Sequence, residues 1–206
     1  MSKLELIIPK PEISLGRRGL FRTAGIATLS ASAVALIAGC ESMAQGSRPM
    51  AQDMADPAGD VKILNVALGL EHEAINAYQL GAESGLLQQA VLNTAVGFQS
   101  QHKEHRDALV ATIRKLGGTP VNEKTKAEYV QGLNPASLRN QTDVLRLAAR
   151  LERGATNAYL GVIPSFSDKG LAQVSGRIAA DETMHWTVLA SALGDALPKN
   201  ALSFGV

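Results

Sequence analysis

Residues 70–78 read LEHEAINAY, and residues 151–159 read LERGATNAY. Leu, Glu, Ala, Asn, Ala and Tyr recur at identical positions of the two stretches, which are offset by 81 residues. A second pair of stretches, HKEHRDAL at 102–109 and ETMHWTVL at 182–189, shares a His and a Leu at an offset of 80. Each half of the chain therefore has one segment with Glu and Tyr, followed by one with His, which predicts an internal duplication.

Apolar residues recur at helical spacing in four long segments around these repeats, and no segment alternates like a strand. Gly117-Gly118 follows Lys115 at the end of the second segment, which is an expected stop signal for a helix. A long connection, with a short helical stretch near 124–130, separates the second segment from the third. Two helix pairs joined by one long crossover predict an all-α four-helix bundle. The predicted helices cover about 61–83, 86–116, 142–163 and 168–193, and the crossover covers about 119–141.

The repeated Glu and Tyr share one face of each first helix. Residues seven apart lie about 20° apart around a helix, so Glu71 and Tyr78 point the same way. The same holds for Glu152 and Tyr159 in the second half.

The second helix of each half presents histidine in the same manner. Glu182 and His185 are three residues apart and share a face, as do His102 and His105. Turning all four faces inward collects three carboxylates and three imidazoles in one core. Each buried carboxylate costs several kcal/mol unless it is paired or binds metal. A pair of divalent metal ions is the simplest way to satisfy the set, which consists of Glu71, His102, His105, Glu152, Glu182 and His185.

At these residues the chain resembles the ferritin-like superfamily, which includes ferritins, bacterioferritins and rubrerythrins. The resemblance covers roughly 61–195. It implies a di-iron or di-manganese site with one Glu from each of two helices and Glu-x-x-His from each of the other two. Glu71 and Glu152 match the single glutamates, and Glu182 with His185 matches one Glu-x-x-His. The resemblance also implies that Tyr78 and Tyr159 hold glutamate ligands across the core.

The remaining motif departs from the family pattern, because His102 stands where Glu is expected. Imidazole does not bridge two metals as a carboxylate does, and the set carries three negative charges instead of four. We therefore expect an asymmetric centre that is less suited to activating oxygen. One ion would be held by Glu152, Glu182 and His185, and would be a hard divalent ion. The other would be held by Glu71, His102 and His105, and would be zinc or iron rather than manganese.

Other polar residues near the repeats fit ordinary roles. His72, Glu73 and Glu104 are interpreted as surface residues. Trp186 turns about 100° away from its neighbour His185, which favours packing over chemistry.

The N-terminus has the features of an export signal. Arg17-Arg18 precedes an uncharged run at 23–39. The run is short and mild for a membrane span, which needs about 20 strongly apolar residues. It ends in Ile-Ala-Gly-Cys at Cys40, and the pattern resembles a Tat signal peptide closing in a lipobox. This implies a lipidated Cys40, attachment to a membrane, and a mature protein that faces the periplasm or the cell exterior. The alternative is a weak N-terminal membrane anchor with an incidental cysteine.

The chain thus divides into a signal peptide at 1–39, a flexible tether rich in Ser, Pro and Gly at 40–60, and the bundle at 61–198. The formal net charge of +1 argues against a nucleic-acid partner. Cys40 is the only cysteine, which excludes an internal disulfide or a second, cysteine-ligated iron domain.

Two classes of function stay open. The first is an envelope metal-binding protein with iron, manganese or zinc, acting as a di-metal oxidase, a peroxidase or a metal-handling protein. The second is a non-catalytic, lipid-anchored metal binder or stress-related scaffold with a degenerate site. A lipid anchor on each subunit suits a monomer or homodimer better than a closed cage.

Overall fold

The computed structural model describes residues 56–205. All secondary-structure elements in this part of the chain are helices, which are joined by turns and loops. The predicted signal peptide, the lipobox at Cys40 and most of the predicted tether lie outside the described residues. None of the helices described combines the length and apolar character needed to cross a bilayer. The helices are α1 (Pro57–Glu83), α2 (Gln89–Lys115), α3 (Lys126–Leu133), α4 (Gln141–Val162) and α5 (Lys169–Leu193).

This arrangement confirms the predicted all-α bundle with a long crossover. Helix α1 packs against α2, α4 packs against α5, and α1 also packs against α4. The crossover between α2 and α4 contains α3 and the short 3-10 turn Pro135–Ser137. A capping box formed by Thr125 and Glu128 starts α3, because each residue's side chain accepts a hydrogen bond from the other's backbone N–H.

The first helix begins at Pro57, four residues earlier than the apolar periodicity predicts. Asp56 caps it, since its carboxylate accepts a hydrogen bond of 2.9 Å from the Gly59 N–H. Asp60 is buried, and its carboxylate accepts hydrogen bonds from the Ser167 N–H, the Ser167 hydroxyl and the Asp168 N–H at 2.9, 2.7 and 3.2 Å. Residues 57–60 were expected in the tether, but this tertiary contact makes them the first turn of the helix.

The bundle contains two separate clusters of buried apolar residues. One contains Leu64, Leu68, Leu109, Ile113 and Ile178 among its buried residues. The other is formed by α4 and α5, with Trp186 and Leu189 buried at its centre. On each long helix the Glu and His residues of the repeats are only a few positions away from residues of these clusters. On α4, for example, Glu152 lies between Ala149 and Tyr159. The polar layer of the bundle is therefore enclosed by apolar packing.

Trp186 has the packing role that its position predicts. Its ring is buried and meets Phe204 edge-on, with the ring centres 5.1 Å apart. The Arg153 guanidinium lies 5.7 Å from the centre of the same ring, which is within the range of a cation–π contact.

Candidate metal centre

All four long helices contribute to one polar layer in the middle of the bundle. Five of its six side chains are at most 2% exposed, and His105 is 11% exposed. Their ligand atoms fall into two groups, and within each group these atoms lie within 4.8 Å of one another. The structure thus brings together all six residues singled out from the repeats, namely Glu71, His102, His105, Glu152, Glu182 and His185.

The two groups overlap, whereas the sequence predicted two separate trios. His102 and Glu182 belong to both groups, together with Glu71 and His105 in one and with Glu152 and His185 in the other. Each group therefore has two carboxylates and two imidazoles. The predicted asymmetry, in which one ion would have more carboxylates than the other, is not found. The helix period fixed the face of each residue but not how far each side chain reaches across the core.

His102 lies at the centre of the layer. Its Nδ1 is 2.8 Å from Glu71 Oε2 and 3.6 Å from Glu182 Oε1, and its Nε2 is 3.2 Å from Glu152 Oε1. Burial alone would lower the pKa of His102, but its hydrogen bonds to Glu152 and Glu71 and the nearby carboxylate charges raise it to about 10. Without metal, His102 is therefore a cation that donates a hydrogen bond to a glutamate from each ring nitrogen.

His105 and His185 have the same orientation, with Nδ1 facing the layer and Nε2 facing outward. His105 Nδ1 is 3.2 Å from Glu182 Oε1, and its Nε2 donates to Asp181 at 3.2 Å. His185 Nδ1 is 3.4 Å from Glu152 Oε2, and its Nε2 donates to Gln101 Oε1 at 2.5 Å. Such outer acceptors fix the tautomer of a metal-binding histidine and leave the inner nitrogen free to bind the ion.

The charges of the layer are strongly coupled. Burial lowers the pKa of His105 on its own, but the nearby carboxylates of Glu182 and Glu71 raise it to about 10. Burial would raise the pKa of Glu71, yet its hydrogen bond with His102 and the nearby His105 keep it below its usual value. The pKa of Glu182 is raised, with burial as the largest cause. In the metal-free protein the layer therefore contains protonated histidines beside ionised glutamates.

Several buried polar atoms in this layer have no hydrogen-bond partner. The approach distances of 3.2–3.6 Å between Glu182 and the histidines do not have hydrogen-bond geometry. Buried nitrogen and oxygen atoms are costly when unpaired, and most proteins avoid them. Divalent ions take lone pairs from neutral imidazole and carboxylate, so these residues fit a metal site. The unpartnered atoms are His105 Nδ1, His185 Nδ1, Glu152 Oε2 and both carboxylate oxygens of Glu182.

Two tyrosines connect the halves of the duplication across the core. The Tyr78 hydroxyl donates to Glu152 Oε1, and the Tyr159 hydroxyl donates to Glu71 Oε1. Burial, with the adjacent carboxylate charge, raises the pKa of both tyrosines well above its usual value, so both stay protonated donors. On Glu71 the tyrosine holds Oε1, and Oε2 faces His102. On Glu152 the tyrosine and His102 share Oε1, and Oε2 faces His185.

Some residues near the site escaped the sequence analysis. Asp181 and Gln101 hold the outer nitrogens of two histidines, and only their positions beside Glu182 and His102 hinted at this. His72 was expected at the surface but is buried, with its Nδ1 unpartnered, because the crossover covers this part of α1. It lies outside both donor groups. Glu73 is half-buried, and Glu104 is exposed as expected.

A helical bundle in which the four long helices supply a buried layer of Glu and His has the architecture of a ferritin-like protein. Residues 59–195 match the family model described as "Ferritin-like domain", so this chain belongs to that family. A solved structure of a conserved hypothetical protein from Mycobacterium tuberculosis is similar in fold, with a TM-score of 0.54 and 22% sequence identity. The match covers 70% of this chain and 96% of that one. No functionally curated protein matches the chain. The buried His and Glu cluster is compatible with metal binding.

Proposed function

We propose that this protein is an exported, lipid-anchored ferritin-like protein that binds two divalent metal ions between its four long helices. The observation that carries the metal proposal is the set of buried, unpartnered nitrogen and oxygen atoms in the central layer. The two donor groups overlap, so two ions could share the Glu182 carboxylate while His102 binds one of them. Such donors suit iron, manganese and zinc. We favour iron, because the di-iron sites of ferritin-like proteins use the same donor types.

The proposed reaction is an oxidoreductase step, namely metal oxidation, peroxide reduction or a related oxidase reaction. When bound, a redox-active metal pair would supply two electrons to hydrogen peroxide, which takes up two protons and becomes water, and added Fe2+ would restore those electrons for the next turnover. The residues of this chain position and protect that site. Tyr78 and Tyr159 orient two carboxylates, and the apolar clusters on either side keep bulk water away. His105 connects the layer to Asp181, which is 43% exposed and can exchange protons with solvent.

A specific observation supports the non-catalytic alternative. In the metal-free protein a protonated His102 already pairs with Glu71 and Glu152. This internal ion pairing can keep the bundle folded without metal, and an imidazole at this position is a poor bridge between two ions. A metal binder or scaffold without turnover would have the same structure.

Metal binding is tested first by elemental analysis of protein purified from its native host. Calorimetry then follows the addition of Fe2+ without oxygen, Mn2+ or Zn2+ to wild type, Glu152→Gln and the matched control Glu104→Gln. We expect wild type and the exposed control to bind alike, and Glu152→Gln to bind at least tenfold more weakly. If wild type binds none of these ions, the metal proposal is wrong.

Turnover is tested separately, by following the consumption of hydrogen peroxide and the oxidation of added Fe2+ by iron-loaded protein. Catalysis that is lost in Glu152→Gln supports the oxidoreductase. Tight metal binding without any turnover would support the non-catalytic alternative.

The export proposal rests on Arg17, Arg18 and Cys40, which lie outside the described residues. Cys40→Ala should release the protein from the membrane fraction, and Arg17→Lys with Arg18→Lys should block export. A Cys40→Ala protein that stays entirely with the membranes would contradict lipidation at this residue.

A further inference from the structure

An apolar cavity of about 100 Å³, partly open to solvent, lies in the bundle beside the polar layer. Its walls come from α1, α2, α4, α5 and the crossover that follows α3. Tyr78 and Thr94 are the only lining residues with a polar side chain, and no charged side chain lines the cavity. Both hydroxyls are already engaged, since Tyr78 donates to Glu152 and Thr94 donates to the Ala90 carbonyl. A molecule in this space would therefore be bound by apolar contact alone.

The wall between the cavity and the candidate metal centre is one aromatic ring thick. Phe98 lines the cavity and stacks on His185, with ring centres 4.1 Å apart. Tyr78 lines it beside Phe98, with ring centres 6.2 Å apart, and contacts Glu152 through its hydroxyl. A molecule that displaces these two rings would therefore also shift two candidate metal ligands, His185 and Glu152.

The cavity arises because the start of α2 does not pack closely on the other helices. Within α2 no residue before Gln99 is buried. Alanines, including Ala95 on α2 and Ala148 on α4, line the gap where larger side chains would close it. Protein interiors are otherwise packed as densely as organic crystals, and empty apolar space lowers stability. A gap of this size beside the polar layer therefore leaves apolar surface that a bound apolar group would cover.

We propose that this cavity binds the hydrocarbon part of a small molecule, about the size of a benzene ring. An enclosed, engineered apolar cavity of about 150 Å³ in another protein stays dry and binds benzene, so benzene is the upper size of group for this smaller, partly open cavity. The lack of charge and of free donors excludes metal ions, anions and sugars as occupants. The cavity is a subsite of the centre described above, and that placement rests on the proposed function. Binding of the apolar group itself does not require metal.

Benzene is the probe for this proposal, titrated without detergent into the metal-free Cys40→Ala chain, which carries no lipid, and followed by methyl NMR. We expect saturable shifts of Leu and Val methyl groups that line the cavity, such as Val91, Leu145 and Leu189. Ala95→Leu places a larger side chain in the cavity and should weaken benzene binding at least tenfold. Ala108→Leu, on the exposed face of the same helix, should bind benzene as wild type does.

Ala148→Val serves as the second filling variant if Ala95→Leu does not fold. Benzene shifts that are absent, spread over the surface, or unchanged in a folded filling variant would overturn the proposal. Because the titration uses metal-free protein, its outcome is independent of the metal experiments. If the protein binds benzene but takes up no metal, the proposed cavity ligand is supported and the proposed metal-binding function is contradicted.

Discussion

Metal uptake by this protein should be strongly dependent on pH, because protons occupy the site when metal does not. A metal ion binds the lone pair of neutral imidazole, so a protonated histidine must lose its proton first. The pKa values of His102 and His105 are both raised to about 10 by the surrounding carboxylates. Both are therefore protonated in the metal-free protein at pH 7.

The size of the effect follows from these pKa values. One pKa unit corresponds to about 1.4 kcal/mol, so removing one such proton at pH 7 costs about 4 kcal/mol. When two protons leave, the apparent association constant rises about 100-fold for each pH unit and levels off near pH 10. The pKa of His185 is raised as well, so it adds to the slope wherever it is still protonated.

Competition titration of Zn2+ against a chromophoric chelator of known pH dependence, at pH 6, 7 and 8, measures the slope directly. Calorimetry in two buffers with different heats of ionisation counts the released protons independently. A slope of about tenfold per pH unit would show that one of the two histidines keeps its proton and does not bind the ion. An association constant that does not change between pH 6 and 8 would refute the reasoning.

Three further predictions concern stability and metal content. The raised pKa values of His102 and His105 stabilise the metal-free protein below about pH 6.5, and this contribution is lost as pH rises towards 10. The lowered pKa of Glu71 stabilises the protein above about pH 4.5, and this contribution is lost in acid. Urea unfolding should therefore give a stability maximum for metal-free protein between these limits, and bound metal should move it to higher pH. Tyr159→Phe removes the donor to Glu71 and should lower the free energy of unfolding by about 1–3 kcal/mol in urea titrations, while Glu104→Gln should change it by less than about 0.5 kcal/mol. His102→Glu restores a fourth carboxylate and should destabilise metal-free protein while raising its iron content or affinity, which calorimetry and elemental analysis compare with wild type.

The fold was predictable because the signals that define it are local and repeated. The duplicated Glu and Tyr, the His of each second helix and the long crossover predict the bundle from periodicity and spacing alone. The same helical period explains why the side chains of Glu71, Glu152 and Glu182 all face the core. In each case the position of a residue around its own helix decides the outcome.

The rest depends on contacts between distant segments, which local spacing does not encode. The sharing of His102 and Glu182 by both donor groups depends on how far the helices stand apart. His72 is buried because of the path of the crossover, and no period specifies that path. The start of α1 depends on Asp60, whose partner Ser167 is 107 residues away in the chain.

The Asp60 contact also has a mechanical consequence. If the protein is held to a membrane through its N-terminal segment, any pulling force enters the bundle at Pro57. The first turn of an isolated helix would unwind easily under such a load. Here the Asp60 carboxylate accepts three hydrogen bonds from Ser167 and Asp168, so the pull passes to the junction of α4 and α5. The force is therefore shared between α1 and the start of α5, which lowers the load on the part of α1 that carries Glu71.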